Sequence, residues 1–184
     1  MTRRRALMAR AESGGGRLPK EYREVKYIES KATATCDVNY GLTLAAKTAS
    51  CGLVRMANSG EAAFAGVNKN GGNYDVFFAQ NVLRHWGGTK LISPTSGTQI
   101  AIGEYAEIQF YVTGSSTYIF SYNGSSNFFI GKIYYFNVKD GDNLVIDLVP
   151  CYRKADHVAG FYDLINDEFY TTINSDPFYA GPAV

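Results

Sequence analysis

The feature that most constrains this chain is a two-residue alternation of apolar and polar side chains, cut at short intervals by Gly, Asn, Asp and Ser. Between Glu104 and Val112, the residues Ala106, Ile108, Phe110 and Val112 fall on one side, and Glu107 and Gln109 on the other. Tyr134, Phe136 and Val138 share a side in the same way, as do Leu144, Ile146 and Leu148, with Asp147 opposed. Successive side chains of a strand point to opposite faces, so this pattern reads as sheet packed on one side. Asn70-Gly71, Asn123-Gly124 and Asp140-Gly141 read as hairpin turns, because these residues tolerate positive φ. From Tyr22 onward we read twelve to fourteen such segments and no helical periodicity. Many short strands at regular spacing imply a sandwich or barrel.

The expectation is therefore an all-β, two-sheet antiparallel sandwich over residues 18–184, a length at which one domain can bury a sizeable core. Its core should include Ile108, Phe110, Phe120, either Ile133 or Tyr134, Phe136, Ile146, Leu148 and Leu164. The polar stretches 68–73 and 93–103 are expected to be loops.

Residues 1–17 have a different character. Ala6-Leu7-Met8-Ala9-Arg10-Ala11-Glu12 are mostly good helix formers, and Ser13-Gly14-Gly15-Gly16 then breaks the pattern with a flexible hinge. The net charge of +1 hides an asymmetry: residues 1–20 carry +5 and the remainder −4. A basic tail on a mildly acidic body suggests an arm that docks on something acidic, with Arg3, Arg4, Arg5 and Arg10 as its charges and Leu7 and Met8 as its apolar anchors. A solvated tail is the plain alternative. The body offers no basic stripe, which speaks against nucleic acid. Met1–Arg10 lacks the apolar stretch of a signal peptide, and no run reaches the roughly 18 apolar residues of a membrane span. Export by the ordinary route and a membrane partner are therefore not expected. Cys36, Cys51 and Cys151 make an odd count with no metal-type spacing, and read as buried free thiols, although Cys36 and Cys51 could pair if their strands meet.

Two segments carry a resemblance. Leu18-Pro19-Lys20-Glu21-Tyr22-Arg23-Glu24-Val25-Lys26-Tyr27-Ile28-Glu29-Ser30 resembles the opening of the laminin-G-like, concanavalin A-like jelly-roll modules common in proteins of gut Firmicutes and their phages. The close resembles them further: Gly131-Lys132-Ile133-Tyr134-Tyr135-Phe136-Asn137-Val138, then Leu148-Val149-Pro150-Cys151-Tyr152-Arg153-Lys154, then Gly160-Phe161-Tyr162-Asp163-Leu164. The resemblance implies a jelly-roll and says little about function, since the shared residues look architectural. Residues 31–103 depart most from the family pattern. An arm opening Met1-Thr2-Arg3-Arg4-Arg5 before such a domain looks like the start of a phage structural protein.

Chemistry-bearing residues are few. His85-Trp86, before Gly87-Gly88, is the candidate glycan contact, because a Trp ring can stack on a sugar; a Trp filling the core is the alternative. Asp140-Gly141-Asp142-Asn143 has oxygens that could suit calcium, but so short a turn supplies too few ligands and reads as a hairpin, so no metal or other cofactor is expected. Arg153, Asp156, His157 and Asp163 look like a network pinning the last hairpin, with Asp163 a buried acceptor for backbone amides. The Glu-x-Asp-x-x-Glu run of laminarinase-like jelly-rolls does not occur, and Glu104 and Glu107, three apart on a strand, point to opposite faces. No enzyme is expected. The reading is a phage virion structural or decoration protein, made in the host cytoplasm and residing in the virion. It would dock on capsid or tail proteins through its arm, form a homo-oligomer and display a lectin-like domain toward cell-surface glycans. A glycan-binding adhesion module without a virion role is the alternative, and a glycoside hydrolase that has lost its activity the remotest reading.

Overall fold

A computed structural model describes residues 17–57, 61–67, 74–86, 91–122 and 124–184. The described body is all-β and antiparallel, with no helix among the described residues. Its strands are β1 (Tyr22–Glu24), β2 (Ile28–Ser30), β3 (Cys36–Arg55), β4 (Glu61–Val67), β5 (Tyr74–Ala79), β6 (Val82–Trp86), β7 (Leu91–Ser93), β8 (Tyr105–Ile119), β9 (Gly131–Asp140), β10 (Asn143–Arg153), β11 (Ala159–Asp163), β12 (Glu168–Tyr170) and β13 (Tyr179–Ala180). Hydrogen bonds run in the order β12-β11-β10-β9-β3-β8-β4-β5-β6, with β1 on β10, β2 on β9 and β13, and β7 on β8.

This path folds back on itself. Tyr170 on β12 donates its hydroxyl to the Asn39 carbonyl on β3 at 3.3 Å, although β12 and β3 are four steps apart in strand order. Neighbouring strands lie about 4.8 Å apart, so four steps in a flat sheet would separate them by about 19 Å. The rings of Phe120, just after β8, and Phe161, on β11, likewise meet at 6.3 Å. Two layers therefore face each other across one core, consistent with a β-sandwich.

The core is built of phenylalanine. Phe64, Phe78, Phe110, Phe120, Phe129, Phe136 and Phe161 are fully buried, joined by Ile108, Ile133, Ile146 and Leu148, and Leu164 is buried too. Phe129 contacts Phe64, Phe78 and Phe120 at ring-centroid distances of 5.9, 6.1 and 6.0 Å. Every residue expected in the core is there, and of the pair Ile133 and Tyr134 it is Ile133. The reason is a bulge: Gly52 of β3 faces Tyr135, but the next residue, Leu53, faces Ile133. Tyr134 is the extra residue, so the expected alternation of Tyr134 with Phe136 breaks, and Tyr134 and Tyr135 lie on the outer side together.

Of the expected hairpins, Asp140-Gly141 forms, with Asp140 paired to Asn143 and φ +57° at Gly141. Asn70-Gly71 lies outside the described residues. Asn123 lies outside the described residues, and the strands on either side of it, β8 and β9, flank β3 from opposite sides instead of pairing with each other. The chain there closes a local loop, in which the Gly124 amide donates to Ser121 Oγ at 2.9 Å and the Phe129 amide to the Phe120 carbonyl at 2.8 Å.

Both ends of the body are fastened side by side. Leu18 and Tyr22 pack with Phe169 on a second apolar cluster of Val149, Cys151, Tyr162 and Leu164. Val25 bridges Ala183, and the Val184 amide donates to the Glu24 carbonyl.

Candidate functional site

His85 and Trp86 end β6, where they face Val76 and Asp75 of β5. His85 shares the side of buried Leu83 and is half-buried, and its Nδ1 has no hydrogen-bond partner among the described residues. The Trp86 side chain and residues 87–90 lie outside what the structure describes, as do Arg3, Arg4, Arg5, Leu7, Met8 and Arg10 of the arm. Arg17, the arm's last residue, is described and turns onto the body, where its guanidinium pairs with the Glu24 carboxylate.

The polar groups expected to pin the last hairpin separate into two places. Arg153 pairs with Asp156 at 2.6 Å inside the β10–β11 turn, and His157, φ +58°, stacks on Tyr152 there. Asp163 stands at the opposite end of β11, across from Leu148. It is fully buried and accepts the amides of Asp147 (3.0 Å) and Ile165 (2.9 Å) and the Asn166 side-chain amide, as its sequence setting suggests. In the Asp140–Asn143 turn, the Asp140 carboxylate meets the ammonium of buried Lys47 at 2.7 Å, so the strongest oxygen donor of that turn is engaged by a cation of the protein itself.

The three cysteines are free and buried. Burial pushes the Cys36 and Cys51 thiols up, and that of Cys151 to about 12, so none offers a thiolate near neutral pH. Arg55 is buried as well: its guanidinium donates to the Gln80 carbonyl and Asn81 Oδ1 and lies 4.9 Å over the Phe78 ring. This arginine ties the β5–β6 turn to the end of β3.

The most organised surface is one that the sequence reading did not single out. On the outer side of β8, β3 and β9, the residues Glu107, Gly52 and Tyr135 form one cross-strand row. Tyr105, Val54 and Lys132 form the row on one side of it, and Gln109, Ser50 and Asn137 the row on the other. Tyr105 and Tyr134 meet edge to face at 5.2 Å, and Tyr134 meets Tyr27 at 5.3 Å. Lys132 Nζ sits 4.6 Å over the Tyr27 ring. Gly52 makes room for the group: a Cβ there would lie 2.6 Å from the Tyr105 hydroxyl and 2.7 Å from the Tyr135 ring. The Tyr105 hydroxyl donates to Glu107 at 3.2 Å, and desolvation together with that carboxylate pushes its pKa up to about 12. Tyr135 is raised for the same reasons. Both phenols therefore remain neutral donors over the physiological range. Tyr105 is nonetheless 48% exposed, and Tyr111, farther along the same face, 39%. Two signals for this face stood in the sequence: a lone glycine inside a strand, which marks a close approach, and the Tyr134-Tyr135 doublet, which breaks the alternation.

No family model, curated protein or solved structure matches the chain.

Proposed function

We propose that this protein is a non-catalytic structural component of a phage virion: a jelly-roll body of laminin-G-like, concanavalin A-like type, carried on a capsid or tail by its basic arm and assembled as a homo-oligomer. The observation that carries the reading is how the arm meets the body. Arg17 is anchored to Glu24, Leu18 is packed, and β1 is paired to β10, so the body is fastened from Arg17 onward. On this reading the arm's other arginines, Arg3, Arg4, Arg5 and Arg10, pair with an acidic surface of the partner, with Leu7 and Met8 as apolar anchors. Exposed charge pairs give about 0–1 kcal/mol each, so the anchors matter more than any single arginine. The inert thiols and the buried, self-satisfied Asp163 fit a domain built for display.

Light scattering and particle co-sedimentation test this. Full-length protein is expected to assemble and to sediment with phage particles, whereas a variant lacking residues 1–16 keeps its melting temperature and does neither. A truncated protein that still assembles and sediments sinks the reading. A glycan-binding adhesion module without a virion role is the second reading, favoured by the tyrosine face; it predicts glycan binding with no particle association.

A further inference from the structure

We infer that the outer face of β8, β3 and β9 is the surface through which two copies of this chain meet, packed face to face about a two-fold axis that runs along β3. This deepens the homo-oligomer part of the reading above and rests on it: the arm gathers the copies, and the face sets how two bodies join.

A two-fold interface uses one patch twice, so the patch must be complementary to itself. Four cross-strand rows cover this face, each with a β9, a β3 and a β8 residue: Lys132–Val54–Tyr105, Tyr135–Gly52–Glu107, Asn137–Ser50–Gln109 and Lys139–Thr48–Tyr111. An axis over β3 lays β9 of one copy on β8 of the other and sets each row against itself. Lysine then meets tyrosine in both outer rows, a cation over a ring. The Tyr135 phenol, a neutral donor, meets the Glu107 carboxylate, and the side-chain amides of Asn137 and Gln109 meet each other. The strand on the axis carries the small side chains of the face, with Gly52 among them, so nothing on β3 holds the copies apart.

Charge points the same way. The outward ionic groups of β9 are Lys132 and Lys139, and that of β8 is Glu107, so the two strands that meet are opposite in sign. Acids at the margin are matched within one copy: Glu29 stands beside Lys132 in register, and Asp147 lies in the field of the Arg17 guanidinium. Within a copy, Glu107 and Lys132 are parted by two strand spacings and one row, about 12 Å. Across the axis only the row remains, about 7 Å along the strand. The face runs about 20 Å from Tyr105 to Tyr111 and about 19 Å over the five strands from β10 to β7, roughly 400 Å² per copy. Twice that lies below the roughly 1,200 Å² of a stable free-standing pair, so the contact forms where the arms raise the local concentration of bodies.

The test is cross-linking of the full-length protein with a short bismaleimide. The three native cysteines are buried and shielded from the reagent. Ser50→Cys places a thiol on the axis, whereas Ser175→Cys places one on an exposed loop between β12 and β13. We expect a covalent dimer from Ser50→Cys and little from Ser175→Cys. In the Ser50→Cys background, Lys132→Glu and Glu107→Lys should each lower the yield about tenfold, and the two together should restore most of it, because the pair they reverse lies between copies. Should a charge variant fail to fold, the comparison of Ser50→Cys with Ser175→Cys decides alone. The inference is overturned if the two cysteine variants cross-link alike, if folded charge variants cross-link undiminished, or if the double reversal restores nothing. An occupant other than a second copy would leave Ser50→Cys without a cross-link. Free protein that cross-links at Ser50 but does not sediment with particles sinks the virion reading and leaves this inference standing, so the two failures are separable.

Discussion

The two faces of β8, β3 and β9 are made from the same three strands and differ by little more than a phenolic oxygen. Inward point Phe110, Cys51 and Phe136, all fully or almost fully buried; outward, around Gly52, sit Tyr105, Glu107 and Tyr135, with the bulge residue Tyr134 beside them. Phenylalanine has no polar handle and must be covered, whereas tyrosine can keep one edge wet and the other packed. The inner face therefore spends its aromatic surface on cohesion. The outer face holds comparable rings in a fixed array and leaves them partly exposed.

The sharpest way to break this comparison is Phe136→Ala. Its side chain is fully buried against Phe110, and the loss should be about 3–5 kcal/mol by chemical denaturation. A loss below about 1 kcal/mol would mean that the two faces are not energetically distinct. Next in size is Asp163→Ala, which strips two backbone amides and one side-chain amide of their buried acceptor; we expect about 2–3 kcal/mol, measured the same way. On the outer face, Gly52→Val should cost about 1–2 kcal/mol, since the Tyr105 hydroxyl can swing aside but the Tyr135 ring must shift bodily. Its larger effect should be on the near-ultraviolet dichroism of the tyrosines, and an unchanged spectrum would show that the rings do not depend on the missing Cβ.

The smallest effect concerns acid. Hydrogen bonds from the Thr33 hydroxyl and amide hold the Asp176 carboxyl below its ordinary range. A depressed carboxylate stabilises the fold above its unfolded pKa of about 3.9, and that contribution is lost as pH falls through the lower folded value. Asp176→Asn should thus flatten the acid limb of a stability–pH curve below about pH 4 and leave neutral pH nearly unchanged. A variant curve that parallels the wild type throughout would show that the contact is idle.

The inner face was legible in the sequence because burial leaves a periodic trace: Ala106, Ile108, Phe110 and Val112 occupy the side their spacing assigns. The choice between Ile133 and Tyr134 was not, because a bulge obeys no period and shows only once β3 is laid beside β9. Asn123-Gly124 carries hairpin chemistry, yet β8 and β9 are parted by β3, a non-local pairing that no turn residue encodes. The outer face was hidden for a related reason. Its members come from positions 27, 52, 105, 107 and 134–135, which no motif length spans, whereas His85-Trp86 is legible as a contiguous pair whose indole ring can stack on a ligand.

The bulge also makes β9 indifferent to its own length at one position. Side chains run inward at Ile133, outward at Tyr134 and Tyr135, and inward again at Phe136. Removing Tyr134 would leave inward, outward, inward: an unbroken pleat in which Ile133 and Phe136 keep their places. Elsewhere in a strand, loss of one codon reverses every side chain beyond it. Here a deletion should be gentler on the fold than the single substitution Phe136→Ala, so this is where the gene can shed or regain three bases, and with them one ring of the outer face, without disturbing the core.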